Sequence, residues 1–155
     1  MEAETKKDGK QQDSVPVKPK YFDAKAVEEI ASDLIGQYHP HLKEKPILYL
    51  FNDGNMNDWA TMARRNEREQ FISGYLFVME VSYKNWQVMS DQQRVALVDH
   101  ELCHASIEDG KPVIIDHDVE EFAIVVSRHG MWRENVRQFG HICADQLSLT
   151  FKKAS

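Results

Sequence analysis

The stretch SDQQRVALVDHELCHA, residues 90–105, decides how the rest of the chain is interpreted. It opens with the Ser-x-x-Gln form of a capping box, so we predict a helix that begins at about Asp91. Apolar side chains recur along this helix and provide a face that can pack on a core. Near its end, the segment HELCH (residues 100–104) has the H-E-x-x-H spacing of a zinc peptidase.

This spacing suits metal chemistry, because residues four apart on a helix lie on one face. His100 and His104 can therefore both direct an imidazole nitrogen at a single cation. Zn²⁺ is the expected cofactor, since its catalytic sites combine histidine ligands with an open position for water. Glu101 follows at about 100° around the helix axis and can reach that water. We predict peptide-bond hydrolysis by a metal-bound water, with Glu101 as the general base.

Such a motif also occurs by chance on polar helices, and its surroundings favour a metal site here. The predicted helix has an independent capping signal and an apolar opposite face, and it follows a candidate strand that could line a cleft. Cys103 lies inside the motif but points away from the two histidines. We predict that it is a core residue and not a ligand.

A third ligand is expected downstream of the motif. The candidates are Glu108, Asp109, Asp116, His117, Glu120, Glu121 and His129. His117 is the best placed, because a connection containing glycine and proline can fold it back over the metal. Glu120 and Glu121 stay open as ligands, or one of them as a carboxylate that accepts a hydrogen bond from a ligating imidazole.

The remaining histidines are not assigned to the metal. His39 and His41 flank Pro40 in a turn and are predicted to be solvated. His129 precedes Gly130, where a histidine is favourable at a helix C-terminus. His141 is predicted to be an exposed residue in a helix.

The rest of the pattern predicts an α+β fold in which a small sheet packs against a helical layer. Residues 1–20 are predicted to be a disordered tail, and residues 21–155 the folded domain. Residues 56–73 are ambiguous between a surface loop and a short helix. The predicted elements, in order, are a helix over about 23–38, a strand over 46–51, a strand over 75–82, the motif helix, a helix over about 118–129 and a last helix over about 133–149.

Composition narrows the functional classes. The 155 residues amount to one domain, and 42% apolar and 28% charged residues are typical of a globular protein. A net charge of −6 argues against binding to a nucleic-acid backbone. The one compact basic strip, Arg64, Arg65 and Arg68, is more typical of a solvated surface.

No apolar run reaches the roughly 18 residues of a membrane span, and the N-terminus lacks the apolar core of a secretory signal. The two cysteines, Cys103 and Cys143, are too few for a disulfide framework. A cytoplasmic location without a membrane partner is therefore predicted.

The blocks LVDHELCHA and HDVEEFAIVVSRHGMW resemble the family of putative phage metallopeptidases, which are similar to SprT-like zinc peptidases. The resemblance covers about residues 46–139. It implies a zincin-like fold and a phage-encoded zinc peptidase that acts in the bacterial host cytoplasm. In SprT-like enzymes the third ligand is the histidine of an H-G-P-x-F segment, and by that match His117 is the third ligand. The glycine and proline are absent here and Phe122 falls one residue later, which keeps Glu120 and Glu121 open as ligands.

The leading functional hypothesis is a zinc-dependent endopeptidase that cleaves a peptide or protein substrate, which could be a host protein. The strand over 75–82 is predicted to be the sheet edge to which a peptide adds. One alternative is a non-catalytic binding or anti-defence protein on the same scaffold. Another is a DNA-associated protease like the SprT-like enzymes. The sequence leaves the oligomeric state open.

Overall fold

A computed structural model describes residues 20–117, 122–138 and 141 of the chain. The helices are α1 (Lys25–Tyr38), α2 (Glu67–Ser73), α3 (Tyr83–Val88), α4 (Asp91–His104) and α5 (Ala123–His129). The strands are β1 (Tyr21–Asp23), β2 (Ile47–Asn52), β3 (Ala60–Arg64), β4 (Phe77–Ser82), β5 (Ala105–Glu108) and β6 (Lys111–Ile114). Residues 134–138 are also helical. Helices and strands that alternate irregularly along the chain confirm the predicted α+β class.

The main sheet has four strands in the order β1-β2-β4-β3. Strands β2 and β4 are parallel, whereas β1 and β3 each add antiparallel at an outer edge. The expectation that the strand over 75–82 forms the sheet edge is wrong, because β4 lies between β2 and β3. Its alternate residues Phe77, Met79 and Val81 are fully buried, as a central strand requires.

The core lies between this sheet and the helices α1 and α4. Helix α1 buries Val27, Ala31 and Leu34, which are spaced to lie on one face. Helix α4 packs against both α1 and β3. The motif helix is therefore held on two sides by packed secondary structure.

The predicted start of α4 is confirmed by its capping box. The Ser90 hydroxyl accepts a hydrogen bond from the Gln93 N–H at 3.2 Å, and the Gln93 side chain accepts one from the Ser90 N–H at 3.0 Å. The helix begins at Asp91 and contains the whole H-E-x-x-H segment. Every residue from Ala96 to Leu102 is buried, so this part of α4 passes through the interior with polar residues included.

The segment after α4, for which the sequence predicts no strand, is a β-hairpin. Strands β5 and β6 pair antiparallel and are joined by Asp109 and Gly110, with φ angles of 50° and 75°. Positive φ at both central residues of a two-residue connection matches the right-handed twist of the strands. The dipeptide Asp-Gly between two short β-prone runs is a signal that identifies such a hairpin in sequence.

Other boundaries differ locally. The ambiguous region 56–73 contains the edge strand β3 and helix α2, whose capping box joins Asn66 and Glu69. The helix predicted over about residues 118–129 corresponds to α5, which begins at Ala123. Residues 118–121 lie outside the described part of the chain. The predicted tail up to residue 19, Cys143 and most of the predicted last helix also lie outside the described residues.

Candidate metal centre

Three histidines from two parts of the chain meet at the end of α4. His100, His104 and His117 each present a nitrogen within 4.8 Å of the other two. The Nε2 atoms of His100 and His117 are 2.9 Å apart. Three imidazoles converging on one point form a donor set that suits Zn²⁺. The structure thus brings together the histidines that the sequence proposed as ligands.

The backbone of Ile115 brings His117 to the motif helix. Its N–H donates to the carbonyl of His104 at 2.8 Å, and its own carbonyl accepts from Nδ1 of His104 at 2.6 Å. This second contact places the proton of His104 on Nδ1 and leaves Nε2 as the electron-pair donor. Strand β6 ends one residue earlier, so the hairpin delivers His117 to the ligand group.

Burial lowers the pKa of His104. The hydrogen bond to the Ile115 carbonyl opposes this shift, while the neighbouring His100 and His117 lower the pKa again. A depressed pKa keeps the imidazole neutral near pH 7, which is the form that binds a metal. The electrostatics of His104 therefore fit a ligand role.

Phe122 forms an aromatic wall beside the three histidines. Its ring centre lies 5.3 Å from that of His100, 4.8 Å from His104 and 5.2 Å from His117. Phe122 is only 5% exposed. An apolar wall limits the access of water on that side.

Glu101 is buried and faces the same cavity as the histidines. One of its carboxylate oxygens is 4.0 Å from Nε2 of His100. The cavity has a volume of about 340 Å³ and runs between α4 and the N-terminal end of the edge strand β3. Its walls include Trp59 and Thr61 from the β3 side and Arg133 from the region after α5. A buried carboxylate and the three-histidine cluster therefore open into one space.

The other candidate ligands are placed elsewhere or are not described. Asp116 lines the cavity, but it is not in the three-histidine group. Glu108 and Asp109 lie at the distal end of the hairpin. Glu120 and Glu121 lie outside the described residues.

The family model for "putative phage metallopeptidase" matches residues 19–140, which include the motif helix, the hairpin and His117. The chain belongs to this family. Membership implies a metallopeptidase and a metal cofactor, and the three-histidine cluster is a plausible place for the metal. No curated protein and no solved structure matches the chain.

This member of the phage metallopeptidase family has a second polar cluster. It centres on Asp99, the residue directly before the H-E-x-x-H motif. Asp99 is fully buried. His39 contacts one carboxylate oxygen at 2.6 Å and His129 the other at 2.9 Å, while Arg128 contacts both at 2.8 and 2.9 Å. The expectation that His39 is solvated is wrong, since it is 4% exposed and bound to this carboxylate. His41 is exposed, as expected, and so is His141.

Burial alone would raise the pKa of Asp99. The hydrogen bonds from His39, Arg128 and His129, together with the charge of Arg128, outweigh burial and lower its pKa to about 2. The ionised carboxylate therefore ties α4 to α5 and to the end of α1. The sulfur of Cys103 lies near His39 and Asp99, and Cys103 packs against the hydrophobic core, as predicted.

Sequence reasoning missed Asp99 and Arg133. Asp99 stands inside the apolar run VALVDHEL, and a carboxylate in such a run signals a buried partner. Nothing local marks Arg133, whose position in the cavity depends on the packing of distant segments. No helix in the described ranges is long and apolar enough to cross a membrane.

Proposed function

We propose that this chain is a zinc-dependent metalloendopeptidase in which His100, His104 and His117 hold the metal and Glu101 is the general base. The observation that carries the proposal is the convergence of the three histidines beside a buried carboxylate in one open cavity. When bound, zinc supplies a Lewis acid for the scissile carbonyl and lowers the pKa of water.

The residues of the chain supply the remaining chemistry. Glu101 accepts a proton from the attacking water and passes it to the leaving amine. The hydrogen bond from Nδ1 of His104 to Ile115 holds that imidazole in one tautomer. Phe122 excludes water from one side of the histidine cluster.

The substrate is proposed to extend along β3, which replaces the strand over 75–82 in that role. Among the described strands, β3 pairs only with β4 in the main sheet. The β5-β6 hairpin contacts β3 without pairing with it, so the other edge of β3 keeps its backbone groups for a peptide that adds as an extra strand. Trp59 and Thr61 of this region line the cavity, so a peptide on this edge passes the histidines.

The proposed setting is the cytoplasm of a bacterial host, with a peptide or a host protein as the substrate. The family's phage origin supports this setting. A role on DNA has less support because the net charge is −6, although Arg64 and Arg68 are exposed. A salt-dependent mobility shift on DNA would favour the latter role.

The test measures zinc content and peptide cleavage of the purified full-length protein. We expect about one zinc per chain, as for a mononuclear catalytic site. Glu101→Gln should keep the zinc and lower cleavage by about 10²–10⁴-fold, the usual contribution of a general base. Glu67→Gln changes an exposed carboxylate of α2 and serves as the matched control.

The proposal is wrong if the protein binds no zinc at neutral pH. It is also wrong if Glu101→Gln cleaves at the parent rate. A non-catalytic binding protein on the same scaffold would give a third pattern, in which zinc is bound, no peptide in a proteome-derived mixture is cut, and biological activity survives Glu101→Gln.

A further inference from the structure

The side chain of Arg133 lies against two indole rings and lines the same cavity as the histidine cluster. Its guanidinium carbon lies 4.7 Å from the ring centre of Trp59 and 5.5 Å from that of Trp132. The two indole rings are themselves in edge contact, with centres 6.1 Å apart. A cation held over aromatic faces is attracted to them and loses side-chain freedom. The charge of Arg133 is therefore positioned in advance.

Arg133 carries the only lysine or arginine charge among the described residues that line this cavity. No carboxylate of the described residues lies within ion-pair distance of it, although Asp58, Glu101 and Asp116 line the same space. Arg128, by contrast, is already bonded to both oxygens of Asp99.

Aromatic stacking occupies the faces of a guanidinium and leaves its N–H edge for a planar anion. Carboxylates match that edge with two parallel hydrogen bonds. Trp59 comes directly before the edge strand β3, so Arg133 lies near the strand's N-terminal end. A peptide bound along β3 would bring a side chain or its own C-terminus to this point.

We propose that Arg133 is a specificity-determining residue that binds a carboxylate of the peptide substrate. The carboxylate belongs to an acidic side chain or to the C-terminus of the peptide. This inference rests on the proposed peptidase function and names the substrate class of the same site.

The test uses zinc-loaded, full-length Glu101→Gln protein, so that bound peptides stay intact. A random library of N-acetylated heptapeptides is passed over the immobilised protein, and the retained peptides are sequenced by mass spectrometry. We expect enrichment of Glu or Asp at one position, or of free over amidated C-termini. The most enriched peptide is then titrated beside its Glu→Gln and its C-terminally amidated forms, which distinguishes the two sources of the carboxylate.

Adding Arg133→Gln should weaken binding of the carboxylate peptide by about tenfold or more and leave its neutral counterpart unchanged. Arg133→Lys keeps a positive charge against the two indole rings but cannot form two parallel hydrogen bonds with a carboxylate. We therefore expect the preference for carboxylate peptides to survive at reduced affinity. Arg137→Gln is the matched control, because Arg137 is 57% exposed and pairs with Glu134.

The inference is overturned if the Glu101→Gln protein retains no peptide or shows no preference for carboxylate peptides. It is also overturned if the added Arg133→Gln change leaves that preference the same. Its failure is separable from that of the peptidase proposal. Glu101-dependent cleavage with an unchanged charge preference removes the role of Arg133 alone. Arg133-dependent carboxylate binding in a protein that never cleaves removes the peptidase proposal alone.

Discussion

Asp99 is a buried charge of α4 whose partners come from two other segments, the end of α1 and helix α5. Replacing Asp99 with asparagine keeps the shape of the side chain. It removes the carboxylate that pairs with the nearly buried guanidinium of Arg128. Breaking one partner of a buried ion pair costs about 3–5 kcal/mol. We predict that Asp99→Asn lowers the free energy of unfolding by this amount, as measured by urea denaturation.

Asp91 offers the matched control for this substitution. It lies on the same helix, but its carboxylate is fully exposed and contacts Arg94 at 3.6 Å. Asp91→Asn should leave the free energy of unfolding close to that of the parent, because solvent screens an exposed ion pair. Equal effects of the two substitutions would show that the Asp99 cluster does not stabilise the fold.

Tyr49 of β2 provides a pH-dependent prediction away from the histidines. Burial raises its pKa above the ordinary 10.0, and the negative charge of Glu28 raises it further. The unfolded chain therefore ionises Tyr49 at a pH where the folded protein keeps it neutral. Its contribution to stability is complete below pH 10 and is lost as the pH rises above 10.

We predict that Tyr49→Phe reduces the fall in the free energy of unfolding between pH 9 and pH 11, measured by urea denaturation at each pH. Tyr21→Phe, at a tyrosine that is 47% exposed, should behave like the parent. An identical pH slope for Tyr49→Phe and the parent would contradict the prediction.

The β5-β6 hairpin is the element that completes the histidine cluster. Gly110 in its turn has a φ of 75°, a region in which a Cβ atom is strained. We predict that Gly110→Ala costs about 1 kcal/mol of stability. It should also weaken zinc binding, since Ile115 and His117 follow directly on this hairpin. Urea denaturation and zinc titration measure the two effects.

Gly36 gives a control of opposite sign. It lies in α1, has no positive φ, and has open space where a Cβ would be added. Gly36→Ala should therefore stabilise the protein by roughly 0.5–1 kcal/mol through helix propensity and leave zinc affinity unchanged. A stabilising Gly110→Ala would show that the turn does not require a positive φ.

At the scale of the whole molecule, the proposed zinc site links α4 to the hairpin. A ligand that binds only the folded state stabilises it by about 4 kcal/mol at a free concentration of 1,000 times its Kd. We predict that zinc raises Tm by several degrees, that a chelator reverses the rise, and that His117→Ala reduces it strongly. Calorimetry with and without the metal checks this.

His141→Ala is the control for the zinc effect, because His141 is exposed and is not part of the histidine group. Its zinc-dependent rise in Tm should equal that of the parent. An undiminished rise in His117→Ala would mean that His117 is not a ligand.

Local signals determined the start of α4, the approximate strands β2 and β4, and the placement of His100, Glu101 and His104 on one helix. These features depend on capping and periodicity, which act over a few residues and are therefore visible in the sequence. The convergence of His117 on the motif was an inference from the length and composition of the connection. It became a geometric fact only through the hairpin and the contacts of Ile115.

Tertiary structure alone decided the edge position of β3, the burial of His39 beside Asp99 and the packing of Arg133 against two indole rings. Each depends on residues far apart in the chain. An apolar strand such as β4 looks the same in sequence at an edge or in the centre, because pairing partners determine its place. The two histidines and the glutamate of HELCH are fixed by their spacing on one helix, whereas the cavity that they line exists only once β3, the hairpin and Arg133 have packed around it.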